Sequence, residues 1–230
     1  MFVHLNIHST YDLLYSSLKI NDVVSKAKEN RYQALAITDT NVLYGFPKFY
    51  DACVKEGIKP IFGMTVMVSD EISTIETVLF AKNNEGLHAL YQLSSAINMK
   101  QKTTIPLKWL QKYSYHLAIV FKDAHASHQS LIQTLKNNES VFINHTSQLD
   151  FSDDKIVFLN NARYLNPEDA DTIPALKAIK NNTKLDLVND IKDAHEYFPT
   201  SENIKAFQLS EKIIANTKAL ADECNAEIQY

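Results

Sequence analysis

Short apolar runs alternate with amphipathic stretches along most of this chain, and that alternation constrains the fold more than any other feature. The first run, Phe2 to Ile7, puts Val3, Leu5 and Ile7 on one face and His4, Asn6 and His8 on the other, the two-residue period of a strand. Asp22 to Glu29 then carries Val23, Val24 and Ala27 as a helical stripe, with Asn21 as its cap. Ala34 to Thr38 reads as a buried strand ending in Asp39, and Pro47 opens a second helix that Gly57 closes. Further strands are expected at Ile61–Val68, Glu76–Ala81, His116–Phe121, Ser140–Asn144 and Ile156–Asn160. Helices are expected at Leu87–Ile97, near Gln129–Leu135 and after Asn166-Pro167-Glu168, where Pro174 should introduce a bend. From Ser201 onward the pattern is helical, and Ile213, Ile214, Thr217, Leu220, Ala221 and Cys224 keep helical spacing. The chain therefore reads as α/β with mostly parallel strands, and both a barrel and an open sheet satisfy the pattern. Its stop at Tyr230, soon after that helix, reads as a cut within a longer polypeptide.

Composition removes several functions. The 230 residues contain only four glycines, Gly45, Gly57, Gly63 and Gly86, with neither the spacing of a dinucleotide fingerprint nor that of a Walker A loop. Cys53 and Cys224 form no CxxC pair or disulfide framework, which suits a reducing, cytoplasmic setting. No apolar stretch is long enough for a membrane span, and the N-terminus lacks the features of a signal peptide. A net charge of −4 argues against strong autonomous binding to a phosphate backbone.

In parallel α/β folds, chemistry gathers at the carboxyl ends of strands. Those ends carry Asn6 and His8, then Asp39 and Thr40, and finally Asn161 and Arg163, while Thr65 lies within the third strand. A hydrolytic metal centre needs several converging His, Asp, Glu or Cys side chains. Amides, hydroxyls and a guanidinium are poor substitutes, because they are neutral or carry the wrong charge. The other prominent residues read as ordinary structure. Phe46, Phe49 and Tyr50 suit core packing; His125 with His128, the Lys100/Lys102 pair and the run Lys177 to Lys184 suit solvated faces, with contact to DNA in an assembled enzyme as the alternative for the lysines.

The run LAITDTNVLYGFPKFYDACVKEGIKPIFGMTVMV, Leu35 to Val68, resembles the amino-terminal PHP (polymerase and histidinol phosphatase) domain of bacterial DNA polymerase III alpha subunits. The likeness is greatest to the DnaE type of low-GC Gram-positive bacteria. It continues through VHLNIHSTYDLL (Val3–Leu14), LFAKNNEGLHALYQLSS (Leu79–Ser95), FLNNARYLNPEDA (Phe158–Ala170) and EKIIANTKALADECNAEI (Glu211–Ile228). The resemblance implies a distorted (βα)7-type barrel over 1–200, followed by a helical segment, 201–230, leading towards a polymerase core. It also implies up to three divalent metals at the strand ends.

Matched motif by motif, the family's ligand places fall on other residue types here. Its HxH pair corresponds to Asn6 and His8, and the carboxylate of its LLDG segment to Tyr15. Its TDH motif reads Thr38-Asp39-Thr40, its next glutamate is Thr65, and its late D-x-H reads Asn161-Ala162-Arg163. Asp123 falls near a central ligand in a poorly matching stretch. Only His8 survives as a residual metal candidate, so the resemblance implies a decayed site with no metal, cofactor or catalytic residue in this segment. Asn6, Asp39, Asn161 and Arg163 are expected to share one hydrogen-bonded network, with Asp39 or another nearby carboxylate neutralising Arg163.

The implied role is a structural and interaction module of a replicative DNA polymerase, a nucleotidyltransferase whose Mg2+-binding palm lies downstream. Its implied partners are the palm, thumb and fingers of the same polypeptide, other replisome proteins, and primer-template DNA held by the whole enzyme, with weak or no DNA binding by this segment. The competing readings are an active metal-dependent phosphoesterase or 3′–5′ proofreading exonuclease, and a free-standing histidinol-phosphate-type phosphatase.

Overall fold

The computed structural model describes residues 3–135, 138–185 and 195–229. In chain order the elements begin β1 (His4–Ile7), α1 (Ile20–Glu29), β2 (Ala34–Ile37), α2 (Phe46–Glu56), β3 (Lys59–Ser69), β4 (Thr74–Ala81), α3 (Asn84–Met99), β5 (Ile105–Pro106) and α4 (Leu107–Tyr113). They continue β6 (Leu117–Phe121), α5 (Gln129–Gln133), β7 (Val141–Asn144), β8 (Ile156–Val157), α6 (Thr172–Asn181), α7 (Ser201–Lys205) and α8 (Glu211–Glu223). The α/β class read from the sequence holds. The chain divides into two compact units, one of residues 1–60 and 160–209, the other of 61–159 and 210–230. Of the C-terminal stretch 201–230, α7 belongs to the first unit and α8 to the second.

In the first unit β1 pairs parallel with β2, His4 opposite Leu35 and Ile7 opposite Ile37, with an irregularity between. On its other side β1 meets an extended segment: His8 N donates to Ala162 O and Ala162 N donates to Asn6 O, each at 3.0 Å. That clamp brings the late motif around Asn161 beside the first strand. Helices α1 and α2 pack together, burying Val23, Val24 and Ala27 from one and Phe46, Phe49 and Cys53 from the other. Tyr50 is half-buried. Gly57 ends α2 at φ 69°, the left-handed cap that its lack of a Cβ permits. Burial pushes the Cys53 thiol up to about 12, so it stays protonated.

The second unit keeps most of its pairs parallel but contains two antiparallel ones that the sequence pattern does not show. β3 runs antiparallel to β4, with Gly63 opposite Phe80 and Ser69 opposite Thr74, and β4 runs antiparallel to β6. The pairs β3–β5, β6–β7 and β7–β8 are parallel. No helix separates β3 from β4. Instead Asp70 Oδ1 accepts from Ile72 N and Ser73 N, and this tight turn can only reverse the chain. Gly86 in α3 is required sterically, since a Cβ there would run into the carbonyl of His116. Helix α8 is tied to the strand end by Thr217, whose hydroxyl accepts from Phe158 N at 2.9 Å.

Pro174 produces no interior bend. A short 3-10 turn, Pro167–Asp171, precedes α6, so Pro174 falls in the first turn of that helix. Its missing N–H would have had no intrahelical acceptor there.

Candidate functional site

The first unit assembles a buried polar cluster around the carboxyl end of β1. The loop after β1 is shaped by its own short side chains. Asp12 N donates to Ser9 O at 2.9 Å, and Ser16 Oγ donates to His8 O at 2.5 Å. Leu14 takes φ 57° as the loop turns back. This curl returns Asp12 to His8 and lays the Tyr15 ring edge-on to the imidazole, with centroids 4.8 Å apart.

Two sub-clusters result. In the first, Thr38 Oγ1 donates to Asn6 Oδ1 at 2.9 Å, and Asn6 Nδ2 donates to Asn161 Oδ1 at 2.9 Å. Asn161 Nδ2 lies 3.0 Å from both Tyr15 OH and Glu196 Oε1. The other oxygen of Glu196 accepts from Arg163 Nε at 2.7 Å and from Arg163 Nη2. The guanidinium carbon of Arg163 stands 4.6 Å from the centre of the Tyr15 ring. Charge is closed inside this group: one cation, one carboxylate, and neutral donors and acceptors matched in series.

The second group is His8, Asp12 and Asp39. His8 Nδ1 lies 2.9 Å from Asp12 Oδ2, which also accepts from Thr40 N at 2.9 Å and Thr40 Oγ1 at 2.7 Å. Asp39 accepts from Ser9 N at 2.5 Å and from Ser9 Oγ at 2.7 Å. Burial pushes the Asp39 carboxyl up to about 6, against the opposing pull of the Ser9 bonds and of His8. His8 Nε2 is buried with no hydrogen-bond partner among the described residues.

The expected single network is thus split. Asn6, Asn161 and Arg163 share one, but Asp39 belongs to the other, because Ser9, two residues past the end of β1, presents both its amide and its hydroxyl to the carboxylate. The carboxylate that neutralises Arg163 is Glu196. Neither Asp12 nor Glu196 emerged from the sequence. Asp12 is signalled by its i, i+4 spacing from His8, but that spacing lies in a loop and the family register points instead at Tyr15. Glu196 has no local signal, since it reaches Arg163 only through tertiary folding. Thr65 and Asp123 lie in the second unit. Thr65 is buried mid-strand opposite Val78, while Asp123 is exposed and accepts from Thr146 Oγ1 at 2.7 Å.

A sequence profile of the PHP domain matches residues 4–155. The chain belongs to the PHP domain family. Over all 230 residues it is 51% identical to a DNA polymerase III subunit alpha of Staphylococcus epidermidis, and 46% identical to one of Staphylococcus aureus strain Mu50. It spans 22% of the length of each of these relatives. Among solved structures it is similar to a metal-dependent phosphoesterase of Bifidobacterium adolescentis (10% identity, TM-score 0.42, 94% of this chain and 95% of the other). It is also similar to an amidohydrolase of Chromobacterium violaceum (21% identity, TM-score 0.37, 49% of this chain and 37% of the other).

The multi-metal centre implied for this PHP domain does not fit the residues present. Two of its places hold amides committed to each other, Asn6 and Asn161, and a third holds a guanidinium already paired with Glu196. A fixed cation repels a divalent ion, and neutral amides cannot balance its charge. Among the described residues the remaining metal-capable group is His8, Asp12 and Asp39, each offering one ligand atom within 4.8 Å of the others. That set suits one ion, not a cluster.

Proposed function

We propose that this PHP domain is the N-terminal module of a DNA polymerase III alpha chain and serves that enzyme as a structural and interaction element. The observation that supports this reading is the closed run from Thr38 through Asn6, Asn161 and Glu196 to Arg163. It satisfies with protein groups the places where a hydrolytic centre would need anionic metal ligands. On this reading the DNA-directed polymerase activity, its Mg2+ ions and the primer-template duplex belong to palm, thumb and fingers outside this segment. The domain contacts those parts or other replisome proteins in the cytoplasm.

Elemental analysis of the protein purified without chelator, with an assay of 3′-end degradation and phosphomonoester hydrolysis in Mn2+, tests the proposal. The expected result is no stoichiometric Zn2+, Mn2+ or Mg2+ and no turnover above background. The grouping of His8, whose Nε2 has no hydrogen-bond partner among the described residues, with the Asp12 and Asp39 carboxylates favours a second reading, a single-ion phosphoesterase or exonuclease site. One bound ion per chain, with Mn2+-dependent turnover abolished in His8→Ala, would establish that reading and overturn the first.

A further inference from the structure

The second unit carries a charge asymmetry that the cluster around β1 does not use. The whole chain has more acidic residues than basic ones, 27 against 23, yet from Gly86 to Lys122 it contains no Asp or Glu at all. Lysines 100, 102, 108 and 112 lie in that stretch, at the end of α3, in the turn after it, and on α4. All four are exposed. None makes an ion pair among the described residues; by contrast, Lys122 at the edge of the stretch pairs with Glu76.

Two of these lysines converge on an aromatic face. The Lys100 and Lys102 ammoniums stand 4.9 Å and 5.5 Å from the ring centre of Trp109, which is half-buried on α4. Lys112 lies 5.0 Å from the ring of Tyr113, whose hydroxyl is held by Gln92 on α3 at 2.6 Å. Beside Lys100, a shallow open groove of about 510 Å³ runs along α3, lined by Tyr91, Gln92, Ser95, Ala96 and Met99. Met99 is 85% exposed and Tyr91 40% exposed, so the charged rim borders an uncovered apolar strip.

We propose that this face, centred on Trp109 and lysines 100, 102, 108 and 112, is a docking surface for single-stranded nucleic acid. A single strand offers a phosphate at every step together with unpaired bases whose flat faces stack on aromatic rings. The surface presents both: ammoniums with no ion pair among the described residues, and an indole over which two of them stand. An acidic peptide without aromatic residues would satisfy the lysines but has no flat face to offer Trp109. Duplex DNA would satisfy the lysines but keeps its bases stacked within the helix.

Trp109 is the chain's single tryptophan, so its own fluorescence reports on the surface. The 230-residue chain is titrated with an oligothymidylate of about 16 nucleotides over a range of salt concentrations. The expected result is quenching of Trp109 emission, with log affinity falling linearly with log salt. Lys100→Gln/Lys102→Gln and Lys108→Gln/Lys112→Gln should each weaken binding about tenfold and flatten the salt slope by roughly 0.7 for every phosphate left without its lysine. Charge changes on α6 of the other unit, Lys177→Gln/Lys180→Gln, should leave binding unchanged. Absence of quenching, or quenching insensitive to both lysine pairs, overturns the proposal. So does equal quenching by polyglutamate, which would assign the face to an acidic protein segment. Metal content has no bearing on any of these outcomes, so this proposal and the proposed function stand or fall separately.

Discussion

The two units differ most in what they bury. The first encloses ionisable side chains, His4, His8, Asp12, Asp39 and Arg163, along with Asn6, Ser9, Ser16 and Thr38. Among the described residues, the buried polar ones of the second are Thr65, Thr77, Ser140, Asn144 and Thr217, none of them charged. A buried hydroxyl needs one or two hydrogen bonds, which nearby backbone can supply. A buried charge needs a counter-charge as well, and that must be brought from elsewhere in the chain. The first unit therefore depends on long-range polar pairing, and the second depends on its apolar core.

Breaking the Arg163–Glu196 pair should give the largest effect. Arg163→Ala strands a mostly buried carboxylate and should cost about 3–5 kcal/mol in urea unfolding. Arg163→Met combined with Glu196→Leu should recover much of that loss, because the stranded charge goes with its partner. If Arg163→Ala costs no more than a hydroxyl deletion in the second unit, the contrast between the units fails.

The pH dependence sharpens the contrast. Burial pulls His4 from 6.5 down to about 3, so the fold favours its neutral form. Its contribution is complete above pH 6.5 and is lost as pH falls from there towards 3. By about pH 4.5 that loss amounts to about 3 kcal/mol. Asp39 has the opposite sign: its carboxyl rises from 3.8 to about 6, so its contribution is present below 3.8 and is lost as pH rises through 6. His4→Phe, which keeps an aromatic ring against Phe198, should flatten the acid side of the stability profile. Asp39→Asn should steepen it. Denaturant midpoints across this pH range read both changes.

Smaller effects are expected in the second unit. Thr217→Val leaves the buried Phe158 N–H without its acceptor and should cost about 1–3 kcal/mol. Thr77→Val removes a single 3.2 Å bond to Ile75 O and should cost under about 1 kcal/mol, with no pH dependence. A thermal or urea midpoint for each variant, taken at two pH values, checks both statements.

The sequence by itself determined the α/β alternation, because period-2 and period-3.6 apolar patterns follow from local backbone geometry. It also placed Asn6, His8, Asp39 and Thr40 around the ends of β1 and β2, since a strand end is visible where an apolar run stops; Asn161 and Arg163, expected at the end of a strand over Ile156–Asn160, lie instead beyond the short β8 in a segment bridged to β1. Tertiary structure alone decided which of them meet. Parallel pairing of β1 with β2 brings Asn6 to Thr38, and the clamp on Ala162 brings Asn161 to Asn6. Glu196 reaches Arg163, and Asp12 curls back to His8, through contacts that no strand or helix period encodes. The antiparallel course of β4 was likewise hidden, because a strand's apolar pattern reads the same in either direction. Periodicity records which face a residue occupies. Partners across the fold are chosen by how the faces close together, and so are the counter-charges a buried site needs.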